Sequence, residues 1–167
     1  VEEALLLGPV VVVVGGPARI AEELKNFVRL TNIVDSSRRV SNGRVLVYGA
    51  RPYADLGKFY AALDLGLVPL SDIPIHNVSL GNKVFDYMAR GVPLYAPATA
   101  VDTSALVRKT FCGWTYDEKT FKPMLETIIH SPEERKMRGS YGKFTFDSVL
   151  NWDVQAPRFV KLCESVT

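Results

Sequence analysis

The stretch from Ser79 to Pro97, SLGNKVFDYMARGVPLYAP, decides the fold, because it has the pattern of a loop, a helix and a strand. Ser79 is suited to cap the helix, since a serine hydroxyl accepts a hydrogen bond from a free first-turn amide. Gly91 is placed to end the helix in the left-handed conformation, and Pro93 prevents its continuation. A short apolar strand is predicted directly afterwards, from Leu94 to Ala96. The face of the helix that packs on the core is predicted by apolar residues at helical spacing: Val84, Phe85, Met88 and Ala89.

The start of this predicted helix has the features of a general anion site. A glycine-bearing loop that leads into a helix exposes several backbone N–H groups, which together carry about half a unit of positive charge. Phosphate is the commonest occupant of such a site. Gly81 and Asn82 lie at the helix start, and Asp86 falls on the first full turn, within reach of a sugar hydroxyl beside a bound phosphate. The alternative is an ordinary helix end, where Asp86 only favours the helix dipole.

Strand-like and helix-like segments alternate along the rest of the chain. This alternation predicts an α/β protein with a Rossmann-like parallel sheet and helices on both faces. Ligands of such sheets bind at the carboxyl ends of the strands, which here precede four loops, after Val14, Tyr48, Leu70 and Ala96. The segment Ser71–Val78 is predicted to be one of these loops. The predicted strands are Val10–Val14, Arg44–Tyr48, Asp64–Leu70 and Gly113–Tyr116, and the predicted helices are Ala18–Leu30, Tyr53–Leu63, Val101–Lys109, Thr120–His130, Pro132–Tyr141 and Trp152–Val166.

Composition narrows the class of protein. The chain has 167 residues, which suits one domain, and 47% of them are hydrophobic, enough for a core. The net charge of +2 gives no argument for nucleic acid as a partner. Cys112 and Cys163 lie far apart without metal-ligand spacing, so no metal site is predicted. The apolar run Ala4–Val14 is too short to span a membrane, and acidic residues precede it, so we expect a cytoplasmic protein.

The segment Asn82–Pro93, NKVFDYMARGVP, resembles the nucleotide-binding helix of GT-B glycosyltransferases, especially the retaining family four. Members of that family often carry Asn-Lys-Leu-Phe-Glu-Tyr-Met-Ala-x-Gly-x-Pro at this point. The resemblance implies that residues 1–167 form a single Rossmann-like donor-binding domain, a fragment of a larger two-domain enzyme without its N-terminal acceptor domain. Other landmarks of the family's C-terminal domain follow in the same order, at Val10–Pro17, Val45–Asp64, Leu65–Asp72 and Asn151–Val166.

The activity implied by this resemblance is transfer of a glycosyl group from a nucleoside diphosphate sugar to an acceptor hydroxyl, with retention of configuration. Helix-end amides would hold the diphosphate and Asp86 the ribose, while the loop after the second strand would contact the base through its backbone. No metal or further cofactor is implied, and the catalytic residues stay unassigned. This chain alone is expected to be inactive, and membrane association, where present, to reside in the missing half. The donor-binding residues implied are Gly15, Gly16, Gly49, Arg51, Ser79, Leu80, Gly81, Asn82, Lys83 and Asp86.

One departure from the family pattern leaves alternatives open. The first of the family's two acids, which touches the transferred sugar, falls at Val78, where no acid is present. Asp72, His76 and Asn77 are the nearby candidates to replace it. The alternatives are a sugar-nucleotide 2-epimerase of the same fold and a non-catalytic domain that binds a nucleotide or a partner. Gly15 and Gly16 also fit part of a dinucleotide-binding fingerprint, although its third glycine is missing.

Overall fold

The computed structural model describes residues 12–15, 45–48, 52–70 and 72–165. The chain divides into two compact units, Val1–Leu56 and Gly57–Thr167. The helix predicted over 18–30 lies outside the described residues. The candidate site residues Gly16, Gly49 and Arg51 also lie outside them. A single Rossmann-like domain over residues 1–167 stays a prediction.

Two strands of the first unit pair in parallel. β1 (Val12–Gly15) and β2 (Val45–Tyr48) lie in register from Val12 opposite Val45 to Gly15 opposite Tyr48. Their β-branched residues favour an extended backbone, and both predicted strands are confirmed. Helix α1 (Tyr53–Ala61) follows and confirms the helix predicted over Tyr53–Leu63.

The second unit contains a three-stranded parallel sheet in the order β3–β4–β5. Its strands are β3 (Gly66–Leu67), β4 (Leu94–Pro97) and β5 (Gly113–Tyr116). The strand predicted over Asp64–Leu70 is therefore much shorter than expected. Pairing runs on only as far as the Val68 amide, which donates to the Tyr95 carbonyl at 3.0 Å. Pro69 then ends it, because proline has no amide hydrogen to donate to the neighbouring strand.

Helices connect and cover this sheet. The predicted loop over Ser71–Val78 is wrong in part, because its second half forms the helical turn α2. The helix predicted over Pro132–Tyr141 continues to Thr145 and leads through a π-helical turn, Phe146–Leu150, into the last helix. The bounds are α2 (Pro74–Asn77), α3 (Asn82–Ala89), α4 (Val101–Thr110), α5 (Phe121–Ile129), α6 (Pro132–Thr145) and α7 (Trp152–Ser165).

Helix α3 packs its inner face on β4, all four residues of which are buried. The buried residues of α3 are Val84, Tyr87 and Met88, so the predicted face was right for two positions. Phe85 and Ala89 are only half-buried, whereas Tyr87 lies inside. The Tyr87 ring occupies space left open by Gly66, where a Cβ atom would lie 2.5 Å from the ring. This contact joins residues far apart in sequence, so helical spacing alone does not reveal it.

The predicted end of α3 at Gly91 is confirmed. Gly91 has φ +69°, which a residue with a Cβ atom adopts at a cost. Its amide donates to the Met88 carbonyl at 3.0 Å, and the Val92 amide donates to the Tyr87 carbonyl at 3.0 Å. These two bonds form the Schellman motif, which satisfies the last carbonyls of the helix and turns the chain into β4.

The buried Tyr87 makes stability sensitive to alkaline pH. Burial raises the pKa of Tyr87 to about 12, and the neighbouring Tyr60 and Asp86 add to the shift. Above pH 10 the unfolded chain loses the phenolic proton while the native protein keeps it, so stability falls as the pH rises from about 10 towards 12. We expect the free energy of unfolding, measured with urea between pH 8 and pH 11, to fall less for Tyr87→Phe than for the unchanged protein. Phenylalanine keeps the ring but has no proton to lose. An identical decline in both proteins would contradict this account.

Candidate functional site

The amino end of α3 is open and carries no side-chain cap. Gly81 is the N-cap residue, in extended backbone with φ −69° and ψ 145°. A Cβ atom built on Gly81 meets nothing within 4 Å, and Asn82 and Lys83 are exposed. The Val84 amide donates to the Gly81 carbonyl at 3.0 Å, but no described residue accepts from the amides of Asn82 and Lys83. Two first-turn donors with partial positive charge therefore have no acceptor among the described residues.

The predicted cap at Ser79 is wrong. A cap at Ser79 would make Leu80 the first helical residue, but α3 begins at Asn82 and its N-cap residue is Gly81. No side chain caps the first turn. The Ser79 carbonyl instead accepts a hydrogen bond from Thr103 Oγ1 at 3.4 Å, and Thr103 is fully buried. This tertiary bond fixes the segment before α3. Helix α4 also lacks a side-chain cap, because Ala100 is its N-cap residue.

Asp86 shares a face of α3 with the side chains of Asn82 and Lys83. It lies four residues after Asn82 and three after Lys83, the two spacings that bring helical side chains together. It is half-buried and lies beyond the first turn, in contrast to the first-turn position predicted. Its charge also acts on its neighbour, since it contributes to the raised pKa of Tyr87. Asp86 thus lies about one turn beyond the residues that carry the open amides.

Three elements meet at this end of the sheet. The bond between Thr103 and the Ser79 carbonyl joins the start of α4 to the segment that leads into α3. Helix α2 also packs against α4. Since α3 connects β3 to β4 and α4 follows β4, both helices begin where the strands end. The sequence predicted a site at this edge of the sheet, but no pattern in it indicated the hydrogen bond between Thr103 and Ser79.

An exposed apolar surface borders the open amides, and sequence reasoning missed it. It lies on the segment that was predicted to be a loop and on the first residue of α4. Its residues are exposed to the extent of 42% for Ile73, 65% for Ile75, 69% for Val78, 40% for Leu80 and 55% for Val101. Large exposed side chains grouped beside polar donors are typical of a binding surface.

The residues considered as replacements for the missing acid are partly engaged with each other. Asn77 Nδ2 donates to Asp72 Oδ1 at 3.0 Å. This bond joins the segment before α2 to its last residue. His76 lies on the same turn and is half-buried. The Val78 side chain is exposed to solvent. The position where the family that this chain resembles carries an acid is therefore accessible.

Of the other predicted site residues, Gly16, Gly49 and Arg51 lie outside the described residues, and Gly15 belongs to the first unit. Gly15 ends β1 in the first unit, opposite Tyr48. Among the described residues, the structure brings together the predicted site residues from Ser79 to Asp86. Two surface clefts lie elsewhere: one of about 720 Å³ along α7 and one of about 350 Å³ beside β5. Among residues 52–70 and 72–165, no group of acids, histidines and cysteines is arranged to hold a metal ion.

The helices of the described part of the chain are too short or too polar to cross a membrane. Comparison with known proteins found no relative: no protein-family model, no curated protein and no solved structure matches this chain.

Proposed function

We propose that this chain binds the nucleoside diphosphate part of an activated sugar at the amino end of α3. In this proposal the amides of Asn82 and Lys83 hold the diphosphate, and Asp86 accepts hydrogen bonds from the ribose hydroxyls. The full protein is then a retaining glycosyltransferase of GT-B architecture, whose second, acceptor-binding domain completes the cleft. The reaction would be transfer of the glycosyl group to an acceptor hydroxyl, in the cytoplasm.

The observation that carries the proposal is the open helix end with a carboxylate about one turn further along α3. Its two free amides lie at the carboxyl edge of a parallel sheet, where α/β proteins bind ligands. Lys83 adds a cation at the same corner. Amides fixed in this way stabilise a leaving diphosphate without reorganising during the reaction. The resemblance of Asn82–Pro93 to the nucleotide-binding helix of family four supports the same assignment.

The exposed apolar surface fits the two-domain part of the proposal. Ile75 and Val78 are more than half exposed beside the site. A second domain that closed over this edge would cover them and exclude water from the donor. Exclusion of water strengthens every electrostatic interaction between the amides and the diphosphate.

A second candidate is a domain of the same fold that binds a nucleotide or a protein partner without catalysis. It is favoured by Val78, an exposed apolar residue where the family carries the acid that contacts the sugar. Thermal shift with uridine, guanosine and adenosine diphosphates separates nucleotide binding from partner binding. A nucleotide present at a hundred times its dissociation constant stabilises by about 2.7 kcal/mol. The absence of any shift would favour the partner-binding domain.

Replacing Asp86 with alanine is expected to weaken nucleotide binding by about 1–3 kcal/mol, the range for losing a hydrogen bond to a charged group. Calorimetric titration of the bound nucleotide into both proteins measures the difference. Asp72→Ala is a matched control, because Asp72 is also a carboxylate near this edge but lies before α2, where it accepts a hydrogen bond from Asn77, and not on α3. Equal affinities of Asp86→Ala and the unchanged protein would remove Asp86 from the site.

A further inference from the structure

The outer edge of β5 is available for pairing. β5 is the end strand of the three-stranded sheet in the described part of the chain. The carbonyls of Cys112 and Tyr116 accept from amides of Leu94 and Ala98 on the β4 side. Backbone groups alternate sides along a strand, so those of Gly113 and Thr115 face away from β4. Thr115 therefore presents one N–H and one C=O group at the open edge, and no described residue bonds them.

Arg138 of α6 fixes one end of this edge. Its Nη1 donates to the Gly113 carbonyl at 2.7 Å, while its Nε donates to Glu134 at 2.9 Å. The same guanidinium lies 4.5 Å from the centroid of the Trp114 ring. These contacts hold the indole in place and leave the edge open from Thr115 onwards.

A cleft of about 350 Å³ lies directly beside this edge. Four apolar side chains line it, Val107, Phe111, Trp114 and Met124, and Arg108 adds a cation that is exposed to solvent. Lys109, also exposed, follows Arg108 at the end of α4. A volume at the lower end of the range for binding clefts suits one or two side chains rather than a large cofactor.

Phe111 has a conformation and an exposure that packing does not explain. It follows α4 with φ +55°, in the left-handed region, where a helix end favours glycine. Its side chain is 63% exposed, so it gains little from the core. A large apolar residue held in a strained backbone at the mouth of a cleft indicates a binding role.

We propose that an extended peptide segment binds here, adding to β5 as a further strand. Its backbone would pair with the N–H and C=O groups of Thr115. An apolar side chain of the peptide would lie between Phe111 and Trp114, and an acidic side chain would face Arg108. Strand addition of this kind draws affinity from main-chain bonds and specificity from the cleft. This surface is separate from the open end of α3 and does not depend on the proposed nucleotide site.

Selection from a phage-displayed library of random dodecapeptides on the immobilised chain tests the proposal. The enriched peptides are expected to share an acidic residue close to an apolar one and, once synthesised, to bind at least about tenfold more weakly to Arg108→Glu. They should also protect the Thr115 amide from deuterium exchange. Trp114 and Trp152 are the two tryptophans of the chain. In Trp152→Phe, any change in tryptophan fluorescence on peptide binding therefore reports on Trp114 alone.

Phe111→Gly separates a binding role from a structural one. Glycine relieves the left-handed strain, so this variant is expected to melt at a higher temperature while losing affinity for the selected peptides at least about tenfold. Lower affinity together with higher stability cannot come from misfolding. The proposal is overturned if the library yields no binder, or if the selected peptides bind Phe111→Gly as tightly as the unchanged chain.

Discussion

Gly81→Asp is expected to raise the stability of the protein while removing nucleotide binding. Gly81 is the N-cap residue of α3, its backbone is extended and a new Cβ meets nothing within 4 Å. Aspartate is a better N-cap than glycine by a few tenths of a kcal/mol, and its charge favours the helix dipole by about 0.3–1 kcal/mol. The same carboxylate would bond the free amides and repel a diphosphate. We expect affinity to fall by at least about 1.4 kcal/mol, a factor of about 10.

Gly81→Ala is the matched control, because alanine adds a Cβ without a charge or a capping oxygen. It should leave the amides of Asn82 and Lys83 open and keep nucleotide affinity, while stability falls slightly through the poorer cap. Thermal unfolding measures the stability of each variant, and calorimetric titration measures its affinity for the nucleotide. An aspartate variant that binds nucleotide as well as the alanine variant would show that the diphosphate lies elsewhere.

Gly139→Ala is expected to destabilise the second unit by about 3 kcal/mol or more, at the upper end of the range for overpacking. Gly139 is buried in α6 where this helix crosses the end of α3, and a Cβ atom would lie 2.0 Å from the Gly91 carbonyl oxygen. The obstacle is backbone of a turn that the Schellman bonds hold, so it cannot rotate away as a side chain would. The whole of α6 would have to move.

The expected loss of stability is opposite in sign to the usual effect of replacing glycine with alanine inside a helix. Alanine in a helix interior is otherwise more favourable than glycine by about 1 kcal/mol. Ser140→Ala, at the next and exposed position of α6, serves as the control and should change stability little. Urea unfolding followed by circular dichroism measures both variants. Equal stability of Gly139→Ala and the unchanged chain would mean that α6 does not pack this closely on Gly91.

Local signals in the sequence were sufficient for the helix and strand of the central stretch. Helical spacing, Gly91 and Pro93 act within a few residues of where they stand, and the structure places α3 and β4 accordingly. The shortening of β3 also has a local cause, the missing amide hydrogen of Pro69. The stretch therefore carries enough information for its own secondary structure.

Contacts between distant residues account for what sequence reasoning missed. The burial of Tyr87 depends on Gly66, and the fixed position of Ser79 depends on Thr103. Periodicity also predicts an amphipathic helix without saying what covers it. Helix α7 forms as expected, yet its Phe159 and Val160 are 58% and 52% exposed. The helix end that carries the candidate site was predicted correctly, whereas its predicted serine cap was wrong.

The most direct test of the central claim is to record the backbone amide NMR signals of the chain while a nucleoside diphosphate is added. If the amino end of α3 holds the diphosphate, the largest shifts should fall on the amides of Asn82 and Lys83, with smaller shifts at Asp86. In Gly81→Asp these shifts should disappear although the protein stays folded. Shifts confined to other parts of the chain, or no shifts with uridine, guanosine or adenosine diphosphate, would contradict the account.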